Sequence, residues 1–288
     1  MPEMKKIPIR RINITPKESH FSDHFSVRDM STSLAEKDLA EPLHRHDFFY
    51  ILVIKNGSGS HDIDFVPYAV TDRSVFILRP GQVHQLTLKT GSTAYLIQFR
   101  NEFYSPNDNV SNALLRKASS LNHYQFDENR FHKLRLLLTF IIEEYNGRHE
   151  AYQEAIQANL GLFFIELIRQ QTEKPTTVSS LYAQKRLEEF LGFLETNAFD
   201  HKPVSEYAAM LNLSAYQLNA ITKTTLSKTC SEVINEYILL EAKRYLLATS
   251  NQITQISGHL GYEDISYFIR FFKKHTGYSP EAFRNNFK

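Results

Sequence analysis

The chain lacks any apolar run of the roughly 18 residues that a membrane span requires. Its longest apolar clusters, Phe48 to Ile54 and Leu160 to Ile168, are short, and the second contains Glu166. A membrane-spanning protein is thereby excluded, and a soluble one is expected. The basic N-terminus MPEMKKIPIRRINITP has no apolar core followed by a small-residue cleavage site, so no secretory signal is expected. Cysteine is almost absent. A single residue, Cys230, rules out an internal disulfide framework and is compatible with a reducing cytoplasm, the expected location. A strong charge of one sign is missing too: the formal net charge is only +1. That value neither demands nor excludes nucleic acid, because phosphate binding needs local rather than global positive charge.

What is present is an ordinary globular composition, 42% apolar and 23% charged, over 288 residues. That length suggests two structural units. From about residue 24 to 100 the chain reads as short strands rich in β-branched and aromatic residues, among them FFYILVI (48–54), SVFIL (74–78) and TAYLIQF (93–99). Turn signals separate them at Lys55-Asn56-Gly57-Ser58-Gly59 and Arg79-Pro80-Gly81. Such spacing, with no helical pattern between, predicts an antiparallel barrel or sandwich. Residues 109–120, 128–145 and 149–171 then carry apolar residues at helical steps. The stripe Ile156, Leu160, Phe163, Phe164, Leu167, Ile168 is wide enough to pack on the barrel or on a symmetry-related helix of a second chain. The polar run QTEKPTTVSS (171–180) is the best linker, and the pattern beyond Leu181 is helical.

The last hundred residues repeat with an offset of about 50: Val204, Tyr207, Leu211 and Leu213 correspond to Ile253, Ile256, Leu260 and Tyr262. Each copy reads as helix, turn, helix, the motif whose second helix enters the DNA major groove. Winding Asp264 to Lys274 as a helix puts Phe268, Phe271 and Phe272 on one side and Ser266, Arg270, Lys273 and Lys274 on the other, with Tyr267 flanking. In the first copy, Leu218 and Ile221 are expected inside and Tyr216, Gln217, Ala220 and Lys223 outside, with Asn219 at the edge; Ser214 and Asp264 are the expected N-caps. The candidate DNA contacts are therefore Tyr216, Gln217, Asn219, Lys223, Glu263, Ser266, Tyr267, Arg270, Lys273 and Lys274. A lone run of charges is more often a solvated face; the duplicated motif favours DNA.

The stretch from Gly261 to Arg284, GYEDISYFIRFFKKHTGYSPEAFR, closely resembles the C-terminal signature of AraC/XylS-type transcription regulators, and Glu241-Ala242-Lys243 with Leu246-Leu247 is similar to the long helix joining their two helix-turn-helix units. The resemblance spans about Leu187 to Arg284. It implies a regulator whose two recognition helices enter successive major grooves. The departures fall in the first copy: Ala220 for a frequent Arg, Thr222 for an aromatic, Ser227 for a turn Gly, and Ile238 where Arg is common.

His44-Arg-His46 and Pro80-Gly-Gln-Val-His84 resemble the two short motifs of cupin barrels. In metal-using cupins two His of the first motif, a Glu and a later His bind the metal; here Tyr50 stands where the Glu is expected. A three-His site suits several divalent metals. Without the acidic ligand, His44, His46, Phe48, Tyr50 and His84 read instead as the lining of a small-molecule effector pocket, with no cofactor expected.

The expected fold is α+β and multidomain: residues 1–115 a cupin-like antiparallel barrel with a basic N-terminal arm (Lys5 to Arg11), 116–172 a helical dimerisation segment, 173–182 a linker, and 183–288 an all-α domain with two helix-turn-helix units. The expected function is a non-enzymatic, DNA-binding regulator, a homodimer answering to a small-molecule effector, with RNA polymerase a further candidate partner. The competing reading is a metal-dependent cupin enzyme with an accessory helical domain. Cys230, aligned with Pro280, reads as a semi-buried small hydrophobe rather than a redox group.

Overall fold

The computed structural model describes residues 9–10, 12, 24–104, 109–171 and 178–287. They fall into two compact units, one within Pro8–Lys174 and the other within Pro175–Lys288. Most of the basic arm and residues 172–177 of the expected linker lie outside the described residues.

The first unit runs β1 (Ile9–Arg10), β2 (Phe25–Asp29), α1 (Ser31–Leu34), β3 (Leu39–His46), β4 (Phe49–Asn56), β5 (Gly59–Ile63), β6 (Val66–Val70), β7 (Ser74–Leu78), β8 (Val83–Leu88), β9 (Thr93–Phe99), α2 (Asn101–Tyr104), α3 (Asn109–Ala118), β10 (His123–Gln125), α4 (Glu128–Gly147) and α5 (Tyr152–Gln171). The strands form two five-stranded sheets, in the orders β1-β3-β8-β5-β6 and β10-β7-β4-β9-β2. Among the described residues every pairing is antiparallel except one. The two-residue β1 lies parallel to β3, pairing Ile9 with Arg45 and Arg10 with His46, a departure from the purely antiparallel expectation. The helical pattern also hid β10, a three-residue strand that adds to the edge of β7.

Strand β4 explains the apolar run FFYILVI. Side chains alternate across a strand, and both faces of β4 are covered. Phe48, Tyr50, Leu52 and Ile54 enter the core between the sheets with Ile63, Phe76, Leu86 and Leu96. Phe49, Ile51 and Val53 enter a second core, where the outer face of the β4 sheet meets helices α3, α4 and α5. The α5 stripe Ile156, Leu160, Phe163, Phe164 and Leu167 is fully buried in that second core, with Ile168 packed against it. The stripe is thus used up inside the chain.

The second unit is helical: α6 (Val178–Asn197), a 3-10 turn (Ala198–Asp200), α7 (Val204–Met210), α8 (Ala215–Leu226), α9 (Cys230–Ala248), α10 (Ile253–His259), α11 (Ile265–Thr276) and α12 (Pro280–Phe287). Helix α6 begins within the stretch read as linker. Helices α8 and α11 start 50 residues apart, and so do α9 and α12, as the sequence repeat requires. The turns differ in length: from the left-handed residue Asn212 (φ 55°) to α8 is one residue shorter than from Gly261 (φ 82°) to α11. No helix among the described residues is long and apolar enough to cross a membrane.

Candidate DNA interface and effector cavity

Helix α11 is fixed at both ends by its own sequence. The Asp264 carboxylate accepts from Ser266 N–H at 2.7 Å, and Gly277 adopts φ 81° while its N–H donates to the Lys273 carbonyl. Phe268 and Phe272 are fully buried. Phe271, expected inside with them, is half-buried, its ring against Tyr262 and His275. Glu263, Ser266, Tyr267, Arg270, Lys273 and Lys274 are all exposed, and the Arg270 guanidinium lies 5.8 Å from the Tyr267 ring centroid. Five of these six project from α11 itself, with Glu263 just before its N-cap. The helix offers cations and hydroxyls to an anionic partner.

Helix α8 begins in a reciprocal capping box: the Ser214 hydroxyl accepts from Gln217 N–H, and the Gln217 amide oxygen accepts from Ser214 N–H. Tyr216, Gln217, Ala220 and Lys223 are exposed, and Tyr216 keeps 84% of its surface. Asn219, half-buried, has an internal role as well. Its amide nitrogen donates to the Ala215 carbonyl, and its oxygen accepts from Cys230 N–H at 3.0 Å, so it clasps α8 to the start of α9. Cys230 is fully buried rather than semi-buried, and burial pushes its thiol pKa up. Arg284 also turns inward: Nε donates to the Leu246 carbonyl and a terminal nitrogen to that of Asn251. His201 Nε2 lies 2.9 Å from the Leu260 carbonyl, tying the loop before the first motif to the turn of the second.

In the first unit a cavity of about 240 Å³ opens between the sheets. Arg10, Leu39, Glu41, His44, His46 and His84 line it from one sheet; Arg28, Asp29, Tyr50, Leu96 and Gln98 line it from the other, with Met30 beside them. The alternation of β3 alone would not bring Leu39, Glu41, His44 and His46 to one side. A β-bulge between Glu41 and His44 shifts the register by one and returns the second pair to the interior. The histidines and Tyr50 therefore share the interior from facing sheets, not from one continuous strand.

Four of the five expected pocket residues line the cavity. Phe48 does not: it is fully buried in the core, its ring 4.5 Å from that of His46, which it braces. Sequence reading missed Arg10, Arg28, Glu41 and Gln98, since nothing in a motif marks them. It also missed His61, fully buried behind His84 with Nε2 at 2.9 Å from His84 Nδ1.

The imidazoles of His44, His46 and His84 converge through Nε2: His46 Nε2 lies 3.1 Å from that of His44 and 2.9 Å from that of His84. His44 Nδ1 must carry its proton, since it bonds the Pro42 carbonyl at 2.6 Å. Burial pushes the imidazoles toward the neutral form, His46 and His61 down to about 3, with His44 and His84 also lowered. Three neutral rings so placed fit the donor set of a divalent transition metal, with His61 and Pro42 orienting two of them. Burial also drives the Tyr50 phenol pKa up, so it stays protonated.

At the cavity mouth Arg10 is paired with Glu41. Arg28 has no such carboxylate among the described residues: its Nε is buried without a partner, and a terminal nitrogen reaches only Gln98 Oε1, at 3.5 Å.

Comparison with known proteins bears on both units. Residues 35–191, more than half of the chain, match the family described as the AraC-like ligand binding domain, and residues 207–286 match the family described as a helix-turn-helix domain. The HTH-type transcriptional activator RhaS of Pectobacterium carotovorum is 24% identical over 278 residues, covering 91% of this chain and 95% of that protein. RhaS of Escherichia coli O157:H7 is 23% identical over 249 residues, covering 84% and 87%. Among solved structures, fatty acid-bound ToxT of Vibrio cholerae is similar over 91% of this chain and 95% of that one, at 15% identity and a TM-score of 0.42. The C-terminal domain of the response regulator yesN of Fusobacterium nucleatum aligns with 35% of this chain and 98% of its own length, at 25% identity and a TM-score of 0.33. With a sensing domain over most of its first half and a doubled helix-turn-helix after it, the chain belongs to the AraC family and is a DNA-binding transcription regulator with an N-terminal effector-binding domain.

Proposed function

We propose that α8 and α11 are the two reading helices, that the cavity between the sheets holds the effector, and that the regulator acts as a cytoplasmic homodimer. The observation that carries the DNA assignment is the free polar face of α11: Phe268 and Phe272 hold the helix on its own unit, leaving Ser266, Arg270, Lys273 and Lys274 in solvent. The exposed Tyr216, Gln217 and Lys223 support α8 as its partner, and Asn219, whose amide clasps α8 to α9, keeps one N–H for a contact at the edge of that face. The residues for the effector are Arg28, Tyr50, His44, His46, His84 and Gln98.

Ligand works through its different affinity for two states of the protein, so an effector must favour one DNA-binding arrangement over another. RNA polymerase is a further candidate partner. For the dimer, the spent α5 stripe leaves the outward faces of α4 and α5, where Leu136, Phe140 and Leu162 are exposed. Phe140→Asp should then give a monomeric mass in solution.

Selection of bound sequences from random DNA tests the main assignment. A defined site should emerge, and Lys273→Ala should weaken its binding while reducing the salt slope by about 1. Unchanged binding by Lys273→Ala and Arg270→Ala together would place the interface on another face.

A further inference from the structure

The cavity holds two guanidinium groups in unlike circumstances. Arg10 is neutralised by Glu41 across the β1-β3 edge. Arg28 projects from β2 on the facing sheet, and Asp29, the acidic residue next to it, uses a carboxylate oxygen to accept from Ser31 N–H. Gln98, 3% exposed, gives Arg28 only a long contact, and the same amide oxygen accepts from the Ser26 hydroxyl at 3.2 Å. A guanidinium carries five donors in a fork that matches a carboxylate in two places. Leaving its Nε–H buried without an acceptor costs free energy that a ligand oxygen would recover.

The rest of the cavity is neutral and mixed. The imidazoles of His44, His46 and His84 offer hydrogen bonds from the opposite sheet and the Tyr50 phenol from Arg28's own sheet, while Met30, Leu39 and Leu96 supply apolar contact. Such a lining suits a compact body bearing a few hydroxyls or a small ring, with one negative group at the Arg28 end.

We propose that the effector is a small carboxylate, its negative group held by the Arg28 guanidinium and its neutral body lying against Tyr50 and the three imidazoles. This rests on the cavity being the effector site. It goes further in naming the ligand class and the residue that selects it.

The test uses the full chain with EDTA present throughout, so that no metal at the imidazoles recruits the acid. Formate, too small for fit to be in question, is titrated against the protein while the Arg28 Nε–H resonance is followed, assigned by its loss in Arg28→Gln. A saturable shift of that resonance is expected. Galacturonate is then compared with galactose by calorimetry. The acid should bind more tightly, and Arg28→Gln should remove that advantage, roughly tenfold to a hundredfold, while leaving galactose binding as it was. A purely structural Arg28 would instead show as a lowered melting temperature of the unliganded variant; with only its long contact to Gln98 to lose among the described residues, Arg28→Gln should melt at or above the wild-type temperature. No formate shift, or equal affinity for acid and sugar, overturns the carboxylate. Galactose bound in the cavity without such preference leaves the effector site standing, whereas loss of neither ligand on Tyr50→Phe with His84→Gln removes the cavity itself.

Discussion

The two helix-turn-helix units share one backbone plan and differ at the positions that finish it. Where the second uses Gly261, Phe272, Gly277 and Pro280, the first has Asn212, Thr222, Ser227 and Cys230. Gly261 and Gly277 take left-handed backbone at little cost, and so does Asn212 to a degree, but Ser227 holds φ 58° against a penalty of roughly 1 kcal/mol. Phe272 fills its core with a ring 5.3 Å from that of Phe283. Thr222 is equally buried but small, its hydroxyl bonded to the Asn219 carbonyl and 3.6 Å from Cys230 Sγ. Pro280 is suited to the first position of α12 because it has no N–H to satisfy there. Cys230 has one, and Asn219 answers it. The first copy has thus replaced packing with hydrogen bonding, and has lost the cation that Arg270 supplies to the second.

Breaking the second copy toward the first should cost most at Phe272. Phe272→Thr leaves a ring-sized void and should destabilise the helical unit by about 3 to 4 kcal/mol in urea unfolding. The reverse change, Thr222→Phe, should also destabilise, by about 1 to 3 kcal/mol, because the site is already filled. Gly261→Ala should follow at roughly 3 kcal/mol: a Cβ there would come within 1.9 Å of the Phe199 carbonyl oxygen, at a φ that L-residues avoid. Asn212→Ala in the first copy should cost about 1 kcal/mol, measured the same way.

The DNA-facing difference predicts a smaller effect, and one that can be reversed. Arg270→Ala should weaken binding to a selected site by about 1 to 3 kcal/mol in a titration, and Ala220→Arg should strengthen it with a salt slope steeper by about 1. Ser227→Gly should be the mildest change, raising stability by about 1 kcal/mol through relief of the left-handed strain.

The repeat was legible because helix caps and buried aromatics are local. Ser214 and Asp264 cap as their sequence neighbours require, and the 3.6-residue period separates Phe268 and Phe272 from Arg270 and Lys273. The barrel strands were legible where β-branched runs lay between turns. Short or irregular pairings escaped: β1 and β10 have too few residues for a period, and β6 contains Pro67, which is tolerated on an edge strand. The α5 stripe could be read as apolar but not as already covered. Asn219 and Arg284 look like free polar groups until their partners, 11 residues away at Cys230 and 38 at Leu246, are brought close.

By itself, then, the sequence determined the two-part organisation, the doubled motif, the face of α11 left to solvent, and three of the histidines at the cavity. The first three follow from period, capping and a repeat along the chain; the histidines follow from the resemblance of their two short motifs to those of cupin barrels. Only the tertiary structure decided that Phe48 braces rather than lines the cavity, that a bulge between Glu41 and His44 turns Leu39, Glu41, His44 and His46 to one side, and that His61 stands behind His84. It alone paired Arg10 with Glu41 and left Arg28 without a counterion among the described residues, because whether a charge is matched depends on strands far apart in the chain.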